Sequence, residues 1–364
     1  MRLAVRCHLR VSGPLLLVFF AVQPADAEHW ELHERSRSAG TIRGAAMAGT
    51  AVVYTWGDVL EEWRLPQGMP RRLAHGPFGE GGCTFDVNRD GQPDVIVQRE
   101  DPARSLVWLE ARTWRQHTID TGTEVHDAIA ATLFGRRGVL AVHRYGQVRF
   151  YQAPNRSLDP WPYREIYSFY TASRQGGLLL SDVDHDGRAD ILCGNYWIRS
   201  PERFALPWRL FTINTYSEAP EAAILRLALA KLPSPGEVAL VAAERERSPA
   251  RLAWFRPPPN PRDLWIERRL DGRLDLVQPR GLAVADFDSD GHTDIAVAEH
   301  HGAKSRLLLF LNRGRDNFFL QEAFRGKAVI ALWAADLNRD GRPDLLAAGP
   351  NGVFWWQNPA YRRK

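Results

Sequence analysis

The chain has 364 residues, a formal net charge of +4, 45% hydrophobic and 25% charged residues. This is an ordinary globular composition, long enough for a large core in one or two domains, and it excludes a disordered chain. Basic residues are nearly all Arg and lie scattered, so no stripe for nucleic acid is present.

At the N-terminus, Arg2, Arg6 and Arg10 precede an apolar run whose core is PLLLVFFAV, Pro14 to Val22. Ala25-Asp26-Ala27 fits a small-x-small cleavage pattern. Residues 1–27 read as an export signal, with the mature chain starting at Glu28; a retained signal anchor is the alternative. The run is too short to span a bilayer, and no later segment reaches the required length. The expected location is therefore secreted or periplasmic. Cys7 leaves with the signal. Cys83 and Cys193 stand in apolar strand contexts and read as separate buried residues, although export would permit a bridge.

The mature chain opens with HWELHER, His29 to Arg35, an alternating stretch with no sheet of its own. A weak unit follows, GTIRGAAMAGTAVVYTWGDVLEEWRLP. Next comes DVNRDGQPDVIV from Asp86, the first of four acidic phrases. The others are DVDHDGRADILC from Asp182, DFDSDGHTDIAV from Asp286 and DLNRDGRPDLLA from Asp336. Their spacings are 96, 104 and 50, so the two wide gaps should each hold a degenerate copy. Both copies are found, starting near Asp127 and Ala223. In the second, Lys231, Pro233, Pro235 and Ala239 replace the acidic residues.

Each unit reads as four short strands. An apolar strand a, as in Gly281 to Phe287, runs into the loop, and strand b, as in Asp294 to Glu299, leaves it. Strand c is aromatic, with Trp197, Trp254 and Trp355 expected to pack between sheets, and strand d is polar and alternating. Continuous apolar inner runs suit a sheet whose first strand is most buried. Four strands per unit, repeated seven times, predict an all-β, seven-bladed β-propeller of antiparallel sheets, with six blades as the alternative. The last unit ends after strand c at Trp356-Gln357, and HWELHER would supply its missing strand d and close the ring.

In DFDSDGHTD, Asp286, Asp288 and Asp290 occupy loop positions 1, 3 and 5, the His292 carbonyl position 7, and Asp294 position 9. Gly291 permits the turn. Hard oxygens at alternating positions suit Ca²⁺; Mg²⁺ demands a smaller and more regular shell. Position 12 holds Val97, Cys193, Val297 or Ala347 where an EF-hand needs Glu, so these loops join strands. Their expected role is to staple hairpins.

These phrases resemble the FG-GAP/VCBS repeats of integrin α-subunit propellers and of many secreted bacterial proteins. Ala348-Gly349-Pro350 stands where the GAP part falls; the FG part is poorly kept. The resemblance implies a calcium-binding propeller. Carried over by position, further ligands would be Asp86, Asn88, Asp90, Gln92 through its carbonyl, and Asp94. Likewise they would be Asp182, Asp184, Asp186, Arg188 (carbonyl) and Asp190, then Asp336, Asn338, Asp340, Arg342 (carbonyl) and Asp344. Up to four structural Ca²⁺ are thus implied. The family includes adhesion proteins, lectins and a few lyases and dehydratases, so it does not fix a function.

The d–a connections and b–c turns must share the face opposite the acidic loops. Glu80, His126, Asp127, Arg174 and Arg280 fall there near the funnel, and the b–c turns add His143, Tyr145, Tyr196, Glu299, His300 and His301. A mixed imidazole, acidic and aromatic set suits a polar ligand. His126 beside Asp127 has the makings of a general base with an orienting carboxylate, or of a strand-end cap. His300 and His301 are adjacent in a strand, so their rings should diverge. The expected function is a binding module for carbohydrate or another extracellular polymer. One alternative is a sugar lyase or dehydratase with His126, His300 or His301 as base and Arg280 on the anion; another is adhesion to an extracellular protein. A monomer without nucleic-acid partners is expected.

Overall fold

The computed structural model of the protein describes residues 30–66, 68–156, 160–169, 176–214, 224–232 and 237–359. The export signal over 1–27, Arg174, Pro233 and Pro235 lie outside the described residues. No helix among the described residues is long and apolar enough to cross a membrane.

The described residues form seven four-stranded antiparallel sheets. Blade 1 comprises β2 (Ile42–Ala48), β3 (Val52–Gly57), β4 (Val59–Arg64) and β5 (Arg71–His75), after β1 (Glu31–Arg37). Blade 2 comprises β6 (Phe78–Phe85), β7 (Asp94–Arg99), β8 (Leu106–Leu109) and β9 (Gln116–Asp120). Blade 3 comprises β10 (Val125–Leu133), β11 (Arg136–His143), β12 (Gln147–Gln152) and β13 (Tyr163–Ser168). Blade 4 comprises β14 (Leu178–Ser181), β15 (Asp190–Cys193), β16 (Tyr196–Arg199) and β17 (Arg209–Thr212). Blade 5 comprises β18 (Leu225–Lys231), β19 (Val238–Glu244), β20 (Leu252–Arg256) and β21 (Ile266–Arg269). Blade 6 comprises β22 (Gly281–Ala285), β23 (Asp294–Ala298), β24 (Arg306–Asn312) and β25 (Phe318–Arg325). Blade 7 comprises β26 (Ala331–Ala335), β27 (Asp344–Gly349), β28 (Gly352–Gln357) and, as its outer strand, β1.

Closure follows the expected route. β1 pairs antiparallel with β28, Glu31 opposite Gln357 and His33 opposite Trp355, whose rings stack at 4.2 Å. Innermost strands touch in the order β2, β6, β10, β14, β18, β22, β26 and back to β2. The core is seven separate clusters, one between each pair of neighbouring blades. Trp197, Trp254 and Trp355 are buried in three of them, as their large flat rings fill wedge-shaped gaps. Cys83 and Cys193 are free thiols, each buried in a different one of the remaining clusters.

One detail of burial differs from the pattern read in the sequence. Strand a is not the most buried. In blade 6 every residue of β23 is buried, whereas β22 buries only Gly281 and Ala283. The innermost strands face a central channel, so half their side chains meet it. Strands b and c are enclosed by the neighbouring blades on both faces.

Candidate functional site

The four acidic loops share one hydrogen-bond pattern. The position-1 carboxylate accepts the N–H groups of positions 5 and 6; Asp286 takes Asp290 at 3.0 Å and Gly291 at 2.9 Å. Asp86, Asp182 and Asp336 do the same. The position-5 carboxylate accepts the N–H of position 7, as Asp290 does from His292 at 2.9 Å. Position 4 is left-handed in each loop although it is never Gly: Arg89, His185, Ser289 and Arg339 have φ of 57 to 63°. The Asx-type bonds on either side hold this conformation.

Position 9 does more than the ligand role expected of it. Asp94, Asp190, Asp294 and Asp344 are fully buried. One oxygen of Asp294 accepts the N–H of Phe287 at 2.8 Å, the other that of Asn312 at 2.7 Å, pinning the loop to the end of strand c. The other three make the equivalent pair of bonds. Burial pushes the Asp294 carboxyl up to about 7 and Asp94 up to about 6, with neighbouring carboxylates adding to both rises.

Two loops gather their carboxylates most tightly. One oxygen from each of Asp286, Asp288 and Asp294 lies within 4.8 Å of the others, and the same holds for Asp182, Asp184 and Asp190. In both, the position-3 carboxylate keeps a buried oxygen that accepts no hydrogen bond, Oδ1 of Asp288 and of Asp184. Asp288 is only 7% exposed. A buried, unpartnered carboxylate oxygen beside two further carboxylates is costly without a cation, so these residues fit a divalent metal. Blades 2 and 7 carry Asn88 and Asn338 at that position. Arginines also reach the loops: Arg313 meets Asp288 at 2.5 Å, and Arg199 contacts Asp184 and, at 2.9 Å, Asp186.

On the opposite face a cavity of about 720 Å³ opens between the blades and the axis. Its wall takes Arg99, Glu100 and Arg104 from the blade 2 b–c turn, Arg245 and Glu246 from that of blade 5, and Glu80 and His126 from strands a. Backbone irregularities deliver these last two. The β10–β11 register shifts between Val125 and Asp127, so the pairing skips His126, and the β6–β7 register shifts between Phe78 and Gly82 around Glu80. Glycine is required beside Glu80: a Cβ on Gly81 would lie 2.4 Å from the Val125 carbonyl oxygen.

Glu80, Arg245, Arg280 and Glu246 form an ionic ring across the funnel. Arg245 bonds Glu80 and, at 2.7 Å, Glu246; Arg280 bonds Glu246 at 2.8 Å and lies 3.7 Å from Glu80. Burial works against the Glu80 charge, but Arg245 and Arg280 hold its carboxyl below the usual range. Beyond the ring is a chamber of about 50 Å³, walled in part by Asp127, Arg226 and Arg280.

The structure therefore brings Glu80, His126, Asp127 and Arg280 together. Asp127 does not act simply as an orienter for His126, since its Oδ2 accepts the Gly177 N–H at 2.9 Å. His300 is half-buried beside this group, its Nδ1 3.2 Å from the Val329 carbonyl oxygen; burial and then Arg280 lower its pKa. Other residues expected at the funnel lie elsewhere. His143 is buried, its Nε2 3.1 Å from the Tyr151 hydroxyl, because β11 runs one residue longer than the turn reading allowed. Glu299 is buried and bonded to Arg306 at 2.6 Å and to the Val277 N–H at 3.0 Å. Tyr196 packs against Phe169 at 5.0 Å, Tyr145 is exposed at its turn, and His301 is exposed at the start of a short 3₁₀ turn. Arg226, Arg245 and Glu246 escaped the sequence reading. The signal available was ERER at 244–247, four charges at the end of an apolar strand.

Residues 286–347 match the family model described as an FG-GAP-like repeat. The FG-GAP-like segment runs from the acidic loop of blade 6 into strand b of blade 7. No match is found among curated proteins. Among solved structures, the chain is similar to YCF48 bound to a D1 peptide, at 14% identity over 91% of this chain and 96% of that one, with a TM-score of 0.53. It is also similar to the Cps50 (Swd1) β-propeller domain of Myceliophteria thermophila, at 11% identity over 90% and 99%, TM-score 0.57. A third is the WD40 β-propeller domain of Doa1, at 8% identity over 91% and 97%, TM-score 0.56. At such identities the likeness is one of fold alone.

Proposed function

We propose that the protein is an exported binding module. Calcium ions in up to four acidic loops stiffen one face, and the opposite face holds the ligand. The observation that carries this reading is the cavity of about 720 Å³ ringed by convergent charged side chains. That volume is in the usual range for ligand sites.

The lining also narrows the ligand. None of the described residues lining the outer cavity is Phe, Tyr or Trp, whereas arginines and carboxylates are interspersed on its wall. Neutral sugars are commonly held by an aromatic platform with hydrogen bonds at its rim. Charges of both signs suit a peptide segment or an acidic polymer better. A peptide from an extracellular protein is thus favoured over a neutral carbohydrate; a solved propeller of similar shape is bound to a peptide.

Export directed by residues 1–27 would place the chain where calcium is plentiful, and the buried, unpartnered Oδ1 atoms of Asp184 and Asp288 would gain from it. The cations would be held by Asp286, Asp288, Asp294 and their counterparts, where they would neutralise clustered carboxylates.

The test is a peptide array and a glycan array probed with the calcium-loaded protein, each repeated with Arg104→Glu. Arg104 is exposed at the cavity wall and touches Glu124. Charged peptides should be captured and lost in the variant. Capture of neutral glycans alone, or peptide capture indifferent to Arg104→Glu, would sink this reading.

A further inference from the structure

Among the described residues, the chamber behind the ionic ring holds a buried cation with no carboxylate at ion-pair distance. Arg226 projects from β18 into its wall. Its Nε donates to the Arg280 carbonyl at 2.9 Å and its Nη2 to the Ile330 carbonyl at 3.2 Å. These two bonds fix the plane of the guanidinium. Among the described residues no carboxylate comes within ion-pair distance of it, whereas Arg245 and Arg280 each contact two. A buried cation is ordinarily retained only with a counter-charge. Beside it, Arg280 Nε is buried and donates to nothing. At the edge of one small cavity of about 50 Å³, one arginine thus lacks a carboxylate among the described residues and the other keeps an unused donor.

The remaining charges on the chamber do not fill that role. Glu80 is committed to Arg245 and Arg280, and Arg43 to Glu100 at 2.5 Å. Asp127 is the nearest uncommitted acid, but one of its oxygens is held by the Gly177 N–H. It moderates the field without closing on Arg226. Burial, and then Arg245, lower the Arg226 pKa to about 10, which agrees with a cation short of a counter-ion.

We infer that the chamber is a carboxylate subsite, in which Arg226 and Arg280 grip one acidic group that passes the ionic ring from the outer cavity. The site is large enough for a carboxylate and a water, since a single water needs about 10–15 Å³ by this kind of measure. Guanidinium forks match carboxylate geometry in a way that ammonium groups do not. The inference rests on the outer cavity being the ligand site, and it adds that the ligand presents an aspartate, glutamate, uronate or chain-terminal carboxylate inward.

The experiment uses the full exported chain with calcium and two kinds of probe. The first is sodium acetate, titrated at constant ionic strength against sodium chloride and followed by thermal denaturation and calorimetry. Acetate should raise the melting temperature saturably where chloride does not. Arg226→Met should remove the response, and Arg226→Lys, which keeps the charge and the best prospect of folding, should weaken acetate affinity by about tenfold. The second probe is a pair of array-selected peptides that differ only by Asp or Asn. The wild type should prefer the acidic one by about tenfold, and Arg226→Met should erase the preference. An acetate response that is absent from the wild type, or unchanged in Arg226→Lys, overturns the subsite. If acetate binds through Arg226 but no peptide binds, the chamber assignment stands and the outer-cavity reading falls.

Discussion

On the acidic-loop face, each position-9 carboxylate bonds to backbone within its own blade, as Asp294 does with Phe287 and Asn312. On the funnel face, Glu80 of blade 2 meets Arg245 of blade 5 and Arg280 at the start of blade 6. The first face repeats a local solution four times. The second is assembled once from distant parts of the chain. Stability should therefore concentrate in the loops, blade by blade, and recognition in the funnel, where a single change alters the whole surface.

The largest expected effect separates two aspartates of one loop. Asp294→Ala leaves two buried N–H groups without an acceptor and should cost about 4 kcal/mol, at roughly 1–3 kcal/mol per lost buried partner. Asp290→Ala, in the exposed part of the loop, should cost about 1 kcal/mol. Urea denaturation of both variants under chelating conditions measures the difference. Equal costs would mean that position 9 acts through a metal alone and not as a backbone staple.

That contrast also explains what the sequence made legible. The period, the seven blades, the closing strand and the loop positions all follow from repeated local phrases, which one chain displays four times over. Asp94, Asp190, Asp294 and Asp344 were found as loop members, yet their bond to the end of strand c joins residues 10 to 18 apart and leaves no mark in the phrase. The funnel was half legible. Topology alone put Glu80, His126, Asp127 and Arg280 on one face. It did not separate them from His143 and Glu299, because one residue of strand length decides whether a side chain faces the funnel or the core. Arg226 was invisible: in LRLALAK it reads as one polar residue of an alternating strand, and only the closed ring makes it a buried cation.

His143 gives a pH test of the funnel side. Burial, then Arg149, hold its pKa down to about 4 from the ordinary 6.5. The unfolded chain takes up the proton below 6.5, whereas the folded chain refuses it until about 4. The stability from neutral His143 is thus fully present above pH 6.5 and lost as pH falls through 4, an effect of about 3 kcal/mol. Asp294 and Asp94, raised to about 7 and about 6, push the other way over this range in any variant, so the difference is what counts: between pH 7 and 4.5, chemical denaturation should show the wild type losing about 3 kcal/mol relative to His143→Gln. A variant with an unchanged pH profile would place His143 in solvent.

Chelation tests the other face. Removing calcium should lower the melting temperature, with a free-energy loss of about 2–3 kcal/mol when the ion is supplied at a hundredfold its dissociation constant. Asp288→Asn should shrink the effect, since Asp288 supplies the buried, unpartnered oxygen. Identical melting with and without chelator would reduce the loops to hydrogen-bonded turns.

The smallest effect distinguishes loops within that face. Arg313 reaches Asp288 at 2.5 Å and Asp290 at 3.9 Å, so in blade 6 a guanidinium claims carboxylates that a cation would use. Arg112 in blade 2 stands 3.7 Å from Asp90 and is two-thirds exposed, where water and salt screen it. A bound calcium would have to displace the first contact but would hardly feel the second. Arg313→Gln should therefore tighten calcium binding by about threefold, corresponding to the modest strength of a half-exposed ion pair. Arg112→Gln should leave it unchanged within error. Calorimetric titration of both variants at low ionic strength reads the difference, and added salt should narrow it. If Arg313→Gln weakens binding instead, the arginine orients Asp288 toward the ion, and the contact belongs to the loaded loop as well as the empty one.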